Sequence, residues 1–269
     1  MSAVERISGR QNPLVKRFRA LARGSEEHLL LDGEHLLAEA IACALPIEVA
    51  AFSDRAVEAR LAGLAAAAGR AGARTVAVAD SILSAMSPVQ QPSGVVAIAA
   101  RRPASLDEIF AGTPQLVLML SGVQDPGNVG AIVRAADGCG ATGVIIGEGT
   151  ADPFGWKALR GAMGSTFRLP VSQPGPLTPA IRRAKTSGLR VLTTLPRGGT
   201  SLPEADLRRP VAILLGAEGS GLPAELASLA DGSLTIPMRR EVQSLNVAVS
   251  AALIVYEAAR QRRPEGSRS

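Results

Sequence analysis

Apolar positions fall into two regimes along the 269-residue chain. Up to about residue 100, helical and strand patterns alternate. Leu36, Leu37, Ala40 and Ile41 recur at helical spacing after Gly33, Ile47–Phe52 reads as a strand, and the alanine-rich stretch Asp54–Ala71 reads as a helix. Thr75–Ala79 and Gly94–Ala100 are short apolar runs between turn residues, which predicts strands. Asp80 stands where it would cap a short helix, Ser81–Met86. Proline, glycine and clustered charge then mark 101–115 as a linker, from Arg101-Arg102-Pro103 to Gly112-Thr113-Pro114. From residue 116 the pattern changes. Leu116–Leu120, Gly143–Ile146, Leu169–Ser172, Arg190–Thr194, Val211–Leu215 and Leu234–Met238 are strongly apolar strands separated by helical segments. Strands this apolar are buried on both faces, so the expected fold class is α/β with a parallel sheet covered by helices. The predicted domains are 1–100 and 116–264, with a frayed tail at 265–269.

Composition removes several classes. With 46% hydrophobic and 20% charged residues the chain is neither disordered nor a disulfide-stapled miniprotein. Cys43 and Cys139 make no thiolate cluster, and His28 and His35 are too few for a histidine site, so no metal is expected. Aromatics at 3% argue against a base-stacking platform. The formal charge of +5 is compatible with nucleic acid without demanding it. No apolar run reaches the roughly 18 residues of a membrane span. The longest candidate, Leu245–Tyr256, is interrupted by Asn246 and Ser250, and the charged N-terminus lacks a signal-peptide core, so a cytoplasmic protein is expected.

Parallel sheets bind ligands beyond the carboxyl ends of their strands. Three such loops stand out: 121–130 before a helix beginning near Val129, 216–223, and 236–247 before the last helix. Gly138, Gly140 and Gly143 have dinucleotide-fingerprint spacing, but they lie between a helix end and a strand start. That favours a helix cap and turn over a nicotinamide-dependent oxidoreductase. The Gly216–Gly221 loop has strand-to-helix context. It serves either as a turn or as backbone brought close to a flat ligand.

Together the loops resemble the three motifs of the SpoU (TrmH-like) ribose 2′-O-methyltransferases of the SPOUT superfamily. The first is Asn-Val-Gly-Ala-Ile-Val-Arg-Ala-Ala-Asp-Gly-Cys-Gly (128–140), and the second is Leu-Gly-Ala-Glu-Gly-Ser-Gly-Leu-Pro (215–223). The third is Ile-Pro-Met (236–238) with Ser-Leu-Asn-Val-Ala-Val-Ser-Ala-Ala (244–252). The first block is similar to the family's N-terminal RNA-binding domain at 12–16, 31–37 and 91–97, so the resemblance is nearly full-length.

The resemblance implies a deep trefoil knot, S-adenosyl-L-methionine as cofactor, and a homodimer with active sites at the shared interface. Leu215, Gly216, Gly221, Ile236, Met238 and Leu245 would bind the cofactor, their backbone groups reading its purine and their side chains forming apolar walls. Asn128, Arg134, Glu218, Ser244 and Asn246 would be the catalytic set. Arg134 is expected to bind phosphate and stabilise charge rather than act as a base, since guanidinium stays protonated below about pH 12. Glu218 is expected to pair with Arg134, within the chain or across the dimer, or to hold the hydroxyl. Ser244 and Asn246, at the start of the last helix, can both cap it and contact substrate, Ser244 being well placed as the N-cap with Asn246 inside the helix.

Each residue also has a plainer reading. Arg134 alone reads as a surface ion-pair residue and Glu218 as a turn residue. Arg6, Arg10, Lys16, Arg17, Arg19 and Arg23 suit either phosphate contacts or a solvated helix face. Arg240 and Gly161 depart from the family pattern, which often has glycine and serine there, while Lys157 and Arg160 are candidate RNA-backbone contacts. The expected substrate is ribosomal RNA. Transfer RNA, or RNA binding without catalysis, are the alternatives.

Overall fold

The computed structural model describes residues 5–111, 115–239 and 243–263. Arg240, residues 112–114 of the predicted linker and the tail 265–269 lie outside the described residues. The chain forms two compact units. The first is Met1–Arg102 with Phe154–Phe167, and the second is Pro103–Pro153 with Arg168–Ser269.

The first unit contains β1 (Glu5–Ile7), α1 (Pro13–Leu21), β2 (His28–Asp32), α2 (Glu34–Ala42) and β3 (Ile47–Ser53). It continues with α3 (Asp54–Ala56), α4 (Ala62–Arg70), β4 (Arg74–Val78), α5 (Asp80–Met86) and β5 (Val95–Ala100). Its sheet has the order β1-β4-β3-β5-β2, parallel from β1 to β3 and antiparallel across β5. Phe18, Val49, Val76 and Ile98 are among its core residues.

The predicted helix over Asp54–Ala71 is interrupted. Ser53 caps its start by accepting from Ala56 N at 3.1 Å, and a wide π turn over Val57–Leu61 separates α3 from α4. Asp80 is the first residue of α5 rather than its cap; the N-cap position belongs to Ala79, which has no side chain able to accept a hydrogen bond.

The second stretch of chain supplies α6 (Leu106–Ile109), β6 (Leu116–Leu120), α7 (Pro126–Gly138), β7 (Gly143–Gly147), α8 (Trp156–Ala162) and α9 (Ser165–Arg168). Next come β8 (Val171–Gly175), α10 (Leu177–Thr186), β9 (Arg190–Thr194) and β10 (Thr200–Ser201). β11 (Val211–Leu215), α11 (Ala224–Ser228), β12 (Gly232–Thr235) and α12 (Val247–Arg262) complete it. α8 packs within the first unit, although the chain pattern alone draws the boundary before residue 116.

Seven strands form a wholly parallel sheet in the order β10-β12-β9-β11-β6-β7-β8. Every residue of β6, β7 and β11 is buried, as a sheet covered on both faces requires. Two predicted strands shift. β8 starts after Pro170, and β12 stops at Thr235, ahead of Pro237, which has no N–H to give a ladder. Ile236 and Met238 are thereby freed from the sheet.

The glycine triplet resolves as a helix stop. Gly140 adopts φ +76°, and Ala141 N returns to Ala136 O at 2.9 Å, closing the end of α7. The dinucleotide reading has no strand ahead of it and is set aside. α12 packs along α7, and its far end is fastened by Arg262. That guanidinium donates to the carbonyls of Leu207 (2.8 Å), Arg209 (2.8 Å) and Gln115 (3.1 Å). No described helix is long and apolar enough to cross a membrane.

Candidate active site

The first loop is shaped by a helix start. Asp125 accepts from Asn128 N at 2.9 Å and Pro126 occupies the first helical position, where its missing N–H costs nothing. α7 therefore begins three residues before the predicted Val129. Asn128 falls in its first turn, among the free N–H groups and at the positive end of the helix dipole.

Three predicted residues converge at this point. Asn128 Nδ2 and Asn246 Nδ2 each donate to Glu218 Oε1 at 2.9 Å, Asn246 Nδ2 also lies 3.2 Å from Asn128 Oδ1, and Val247 N donates to the same carboxylate oxygen at 3.2 Å. One residue from each motif loop thus meets at a single oxygen. Asn246 is the N-cap of α12, not an interior residue. Its Oδ1 accepts from Ala248 N at 2.9 Å and Val249 N at 3.2 Å. The cap assigned to Ser244 is corrected accordingly. Ser244 lies two residues before the N-cap and is exposed, too early to reach the free N–H groups.

The second loop closes on itself through Ala217 N to Gly221 O (3.2 Å) and Gly221 N to Ala217 O (3.0 Å). This return stroke needs Gly221 at φ +69° and leaves no room at Gly216. A Cβ there would stand 2.4 Å from Gly221 C and 2.5 Å from Leu222 N. The result is bare main chain beside a cavity of about 300 Å³.

All six predicted cofactor residues line that cavity: Leu215, Gly216, Gly221, Ile236, Met238 and Leu245. Glu218 and Ser244 line it too, so the hydrogen-bonded carboxylate stands at its wall. Thr194, Leu195 and Pro196 were not among the expected residues. They end and follow β9, and extending the carboxyl-end rule to that strand would have found them. Ser250 and Ile254 close the cavity from α12. These residues fit an adenosyl group carrying a sulfonium. Backbone without side chains suits a flat purine, and leucine, isoleucine and methionine walls keep water from the reacting end.

Arg134 sits less than two turns beyond Asn128 on α7, exposed, and pairs with no described residue. The pairing expected with Glu218 is not formed within the chain; Glu218 Oε1 instead accepts from two side-chain amides and a main-chain N–H.

A wholly parallel sheet with its cavity built from the loops after β9, β11 and β12 is the arrangement of an α/β protein that binds its ligand at the carboxyl ends of its strands. Residues 115–256 match the model of the SpoU rRNA Methylase family, and the chain belongs to that family. It is 34% identical to a tRNA/rRNA methyltransferase of Synechocystis, over 97% of this chain and 96% of that one. It is 30% identical to the 23S rRNA (guanosine(2553)-2′-O)-methyltransferase RlmP of Bacillus subtilis, over 94% of this chain and 98% of that one. A solved structure of an AdoMet-bound rRNA methyltransferase from Sinorhizobium meliloti superposes with TM-score 0.85 at 30% identity, covering 96% of this chain and 98% of that one.

Proposed function

We propose that this chain is a cytoplasmic enzyme that transfers a methyl group from S-adenosyl-L-methionine to a ribose 2′-hydroxyl of ribosomal RNA, working as a homodimer. The observation that carries this reading is the meeting of Asn128, Glu218 and Asn246 at the wall of the cavity bounded by Gly216. A relative covering nearly the whole chain is named for this reaction on 23S rRNA. Transfer RNA is the second reading, because the Synechocystis relative is named for both RNA classes.

In this proposal Gly216, Ile236 and Leu245 hold the cofactor through main-chain groups, with Leu215, Met238 and Gly221 completing the walls. When bound, S-adenosyl-L-methionine supplies an electrophilic methyl on sulfur. The protein's own task is then positioning and charge. Glu218 keeps both asparagine amides aimed, and Asn128 and Ser244 orient the ribose. Arg134, without a partner among the described residues, binds the neighbouring phosphate and stabilises negative charge developing on the ribose oxygen. In the dimer it acts at the partner's cavity.

Val249, Leu253 and Tyr256 support that dimer. They recur at i, i+4 and i+7 on α12 with 48%, 41% and 56% of their surface exposed, an apolar stripe of the kind a helix buries against another subunit. Lys16 and Arg19 on α1, with Arg23 just beyond, have no ion-pair partner among the described residues and suit an RNA backbone. Arg6 and Arg17 are held by Asp54 and Glu48, and Arg10 donates to the Ser81 carbonyl.

Transfer of labelled methyl to purified ribosomal and transfer RNA tests the reading, with 2′-O-methyl mapping of the product. Ribosomal RNA should be labelled, and Arg134→Ala should lower the rate by about 100-fold or more. Labelling of neither RNA, or equal labelling by the variant, would reject the reaction or the role of Arg134 respectively.

A further inference from the structure

The first unit carries a second depression, of about 440 Å³, whose residues belong to none of the three motif loops. Asp32, the last residue of β2, is only 8% exposed and forms part of its lining. Ser87 Oγ donates to Asp32 Oδ2 at 2.5 Å and itself accepts from Val89 N at 3.1 Å, so that hydroxyl is aimed at the carboxyl group. Among the described residues Asp32 has no ion-pair partner. Burial pushes its pKa up, against the Ser87 hydrogen bond and the field of Arg160, which act the other way. A buried carboxyl group with one donor facing a depression is short of hydrogen-bond donors.

The rim has the opposite character. Lys157 and Arg160 are exposed on α8, and Trp156, partly packed into the core of this unit, forms one wall. His35 Nε2 lies 3.3 Å from the Met163 carbonyl. Met163 adopts φ +51° and is followed by Gly164 at φ +88°, where a Cβ would stand 2.6 Å from Glu39 Cγ. The left-handed Met163 closes the end of α8, its N–H returning to Leu159 O at 3.1 Å.

We propose that this depression binds a guanosine nucleotide of the substrate RNA, with the base on Asp32 and a phosphate on Lys157 and Arg160. This inference rests on the RNA reading above. A carboxylate accepts two parallel hydrogen bonds best from adjacent donors. Guanine alone offers them, as N1–H beside its exocyclic amino group. Cytosine and adenine set one amino group beside a ring-nitrogen acceptor, and uracil flanks its single N–H with two carbonyls. Each of these turns at least one lone pair toward the carboxylate. Arginine and lysine at the mouth supply the phosphate contact that positions the nucleotide without reading its base.

The chain's one tryptophan is Trp156, so intrinsic fluorescence of the full-length protein reports on this depression. The probes are the 5′-monophosphates of guanosine, adenosine, cytidine and uridine, with inorganic phosphate as a fifth. Guanosine monophosphate should give a saturable change with an affinity about tenfold or more above that of uridine monophosphate. Asp32→Asn should erase that preference, and Arg160→Ala, at an exposed position, should weaken all four nucleotides alike. Equal responses to the four nucleotides, or a preference that survives Asp32→Asn in a variant with wild-type circular dichroism, would overturn the assignment. Were Asp32→Asn not to fold, the wild-type ranking and Arg160→Ala still decide. The readout involves no methyl transfer. Absence of guanylate selectivity in a wild-type protein that still methylates RNA rejects this site alone, and guanylate selectivity without RNA methylation rejects only the reaction.

Discussion

Asn246 and Glu218 are joined by a 2.9 Å hydrogen bond from the amide nitrogen of the first to Oε1 of the second, although 28 residues separate them. The same amide presents its oxygen to Ala248 N and Val249 N. Both ends of the side chain are therefore committed, which fixes its orientation: oxygen toward the helix, nitrogen toward the carboxylate. Helix capping and site assembly share one residue. Folding the start of α12 and aligning Glu218 with Asn128 become a single event.

This sharing separates stability from activity in the variant Asn246→Asp. Aspartate caps a helix as well as asparagine does, so the change in unfolding free energy should stay below about 1 kcal/mol. The new carboxylate oxygen would face Glu218 where the amide nitrogen now donates, and like charges at that distance repel. Methyl transfer should fall by about 100-fold or more, with thermal melting nearly unchanged. Wild-type methyl transfer by Asn246→Asp would mean that Asn246 matters only as a cap.

Gly216→Ala tests the bare main chain of the cavity. The added Cβ would meet Gly221 C at 2.4 Å and Gly221 O at 2.7 Å, contacts that only a displaced 217–221 loop relieves. That displacement breaks the Ala217–Gly221 pair of hydrogen bonds and moves Glu218 with it. Calorimetric titration with S-adenosyl-L-methionine should show an affinity loss of about tenfold or more. Wild-type affinity would show that the loop does not form the binding wall.

Much of this site was legible from residue type and order. The apolar runs of β6, β7 and β11 announce a parallel sheet because burial on both faces leaves no polar alternation, and ligands gather at carboxyl ends of such strands. The 216–223 loop follows from that rule, whereas the roles expected of Leu215, Gly216 and Glu218 came only with the motif resemblance. What was hidden was local competition. Asp125 and Pro126 start α7 before its apolar periodicity begins, and Asn246 outcompetes Ser244 for the cap because only its oxygen reaches the free N–H groups of α12. The π turn at Val57–Leu61 leaves no mark in an alanine-rich stretch that favours helix throughout. The placement of α8 in the first unit was equally silent, since its alternation of cations and small residues suits either unit.

The exposed stripe on α12 makes oligomeric state measurable by a single substitution. Tyr256 is more than half exposed at the C-terminal end of that stripe and touches none of the cavity-lining residues through a hydrogen bond among the described residues. Tyr256→Asp adds a charge that a buried helix face tolerates poorly, so sedimentation equilibrium should shift from dimer to monomer at micromolar protein. Methyl transfer should fall with it if Arg134 acts across the interface. A dimer that survives both Tyr256→Asp and Leu253→Asp would place the contact elsewhere.

Asp32 supplies a pH dependence of unusual sign. Most buried carboxylates in proteins are paired, have lowered pKa values, and stabilise the fold more as pH rises. Asp32 is the reverse: burial, only partly offset by Ser87 and Arg160, raises its pKa in the folded chain above that in the unfolded chain. Between those two values the folded state holds more protons than the unfolded state. Its contribution to stability is therefore fully present below the ordinary aspartate range and is lost as pH climbs through the folded value. Asn at this position keeps the shape and an oxygen for Ser87 but never ionises. Urea unfolding should find Asp32→Asn more stable than the wild type at pH 7, with the difference shrinking as the pH falls below the ordinary aspartate value. A variant less stable than wild type at pH 7 would mean that the ionised carboxylate is already satisfied by its surroundings, and a receptor short of donors would have no basis there.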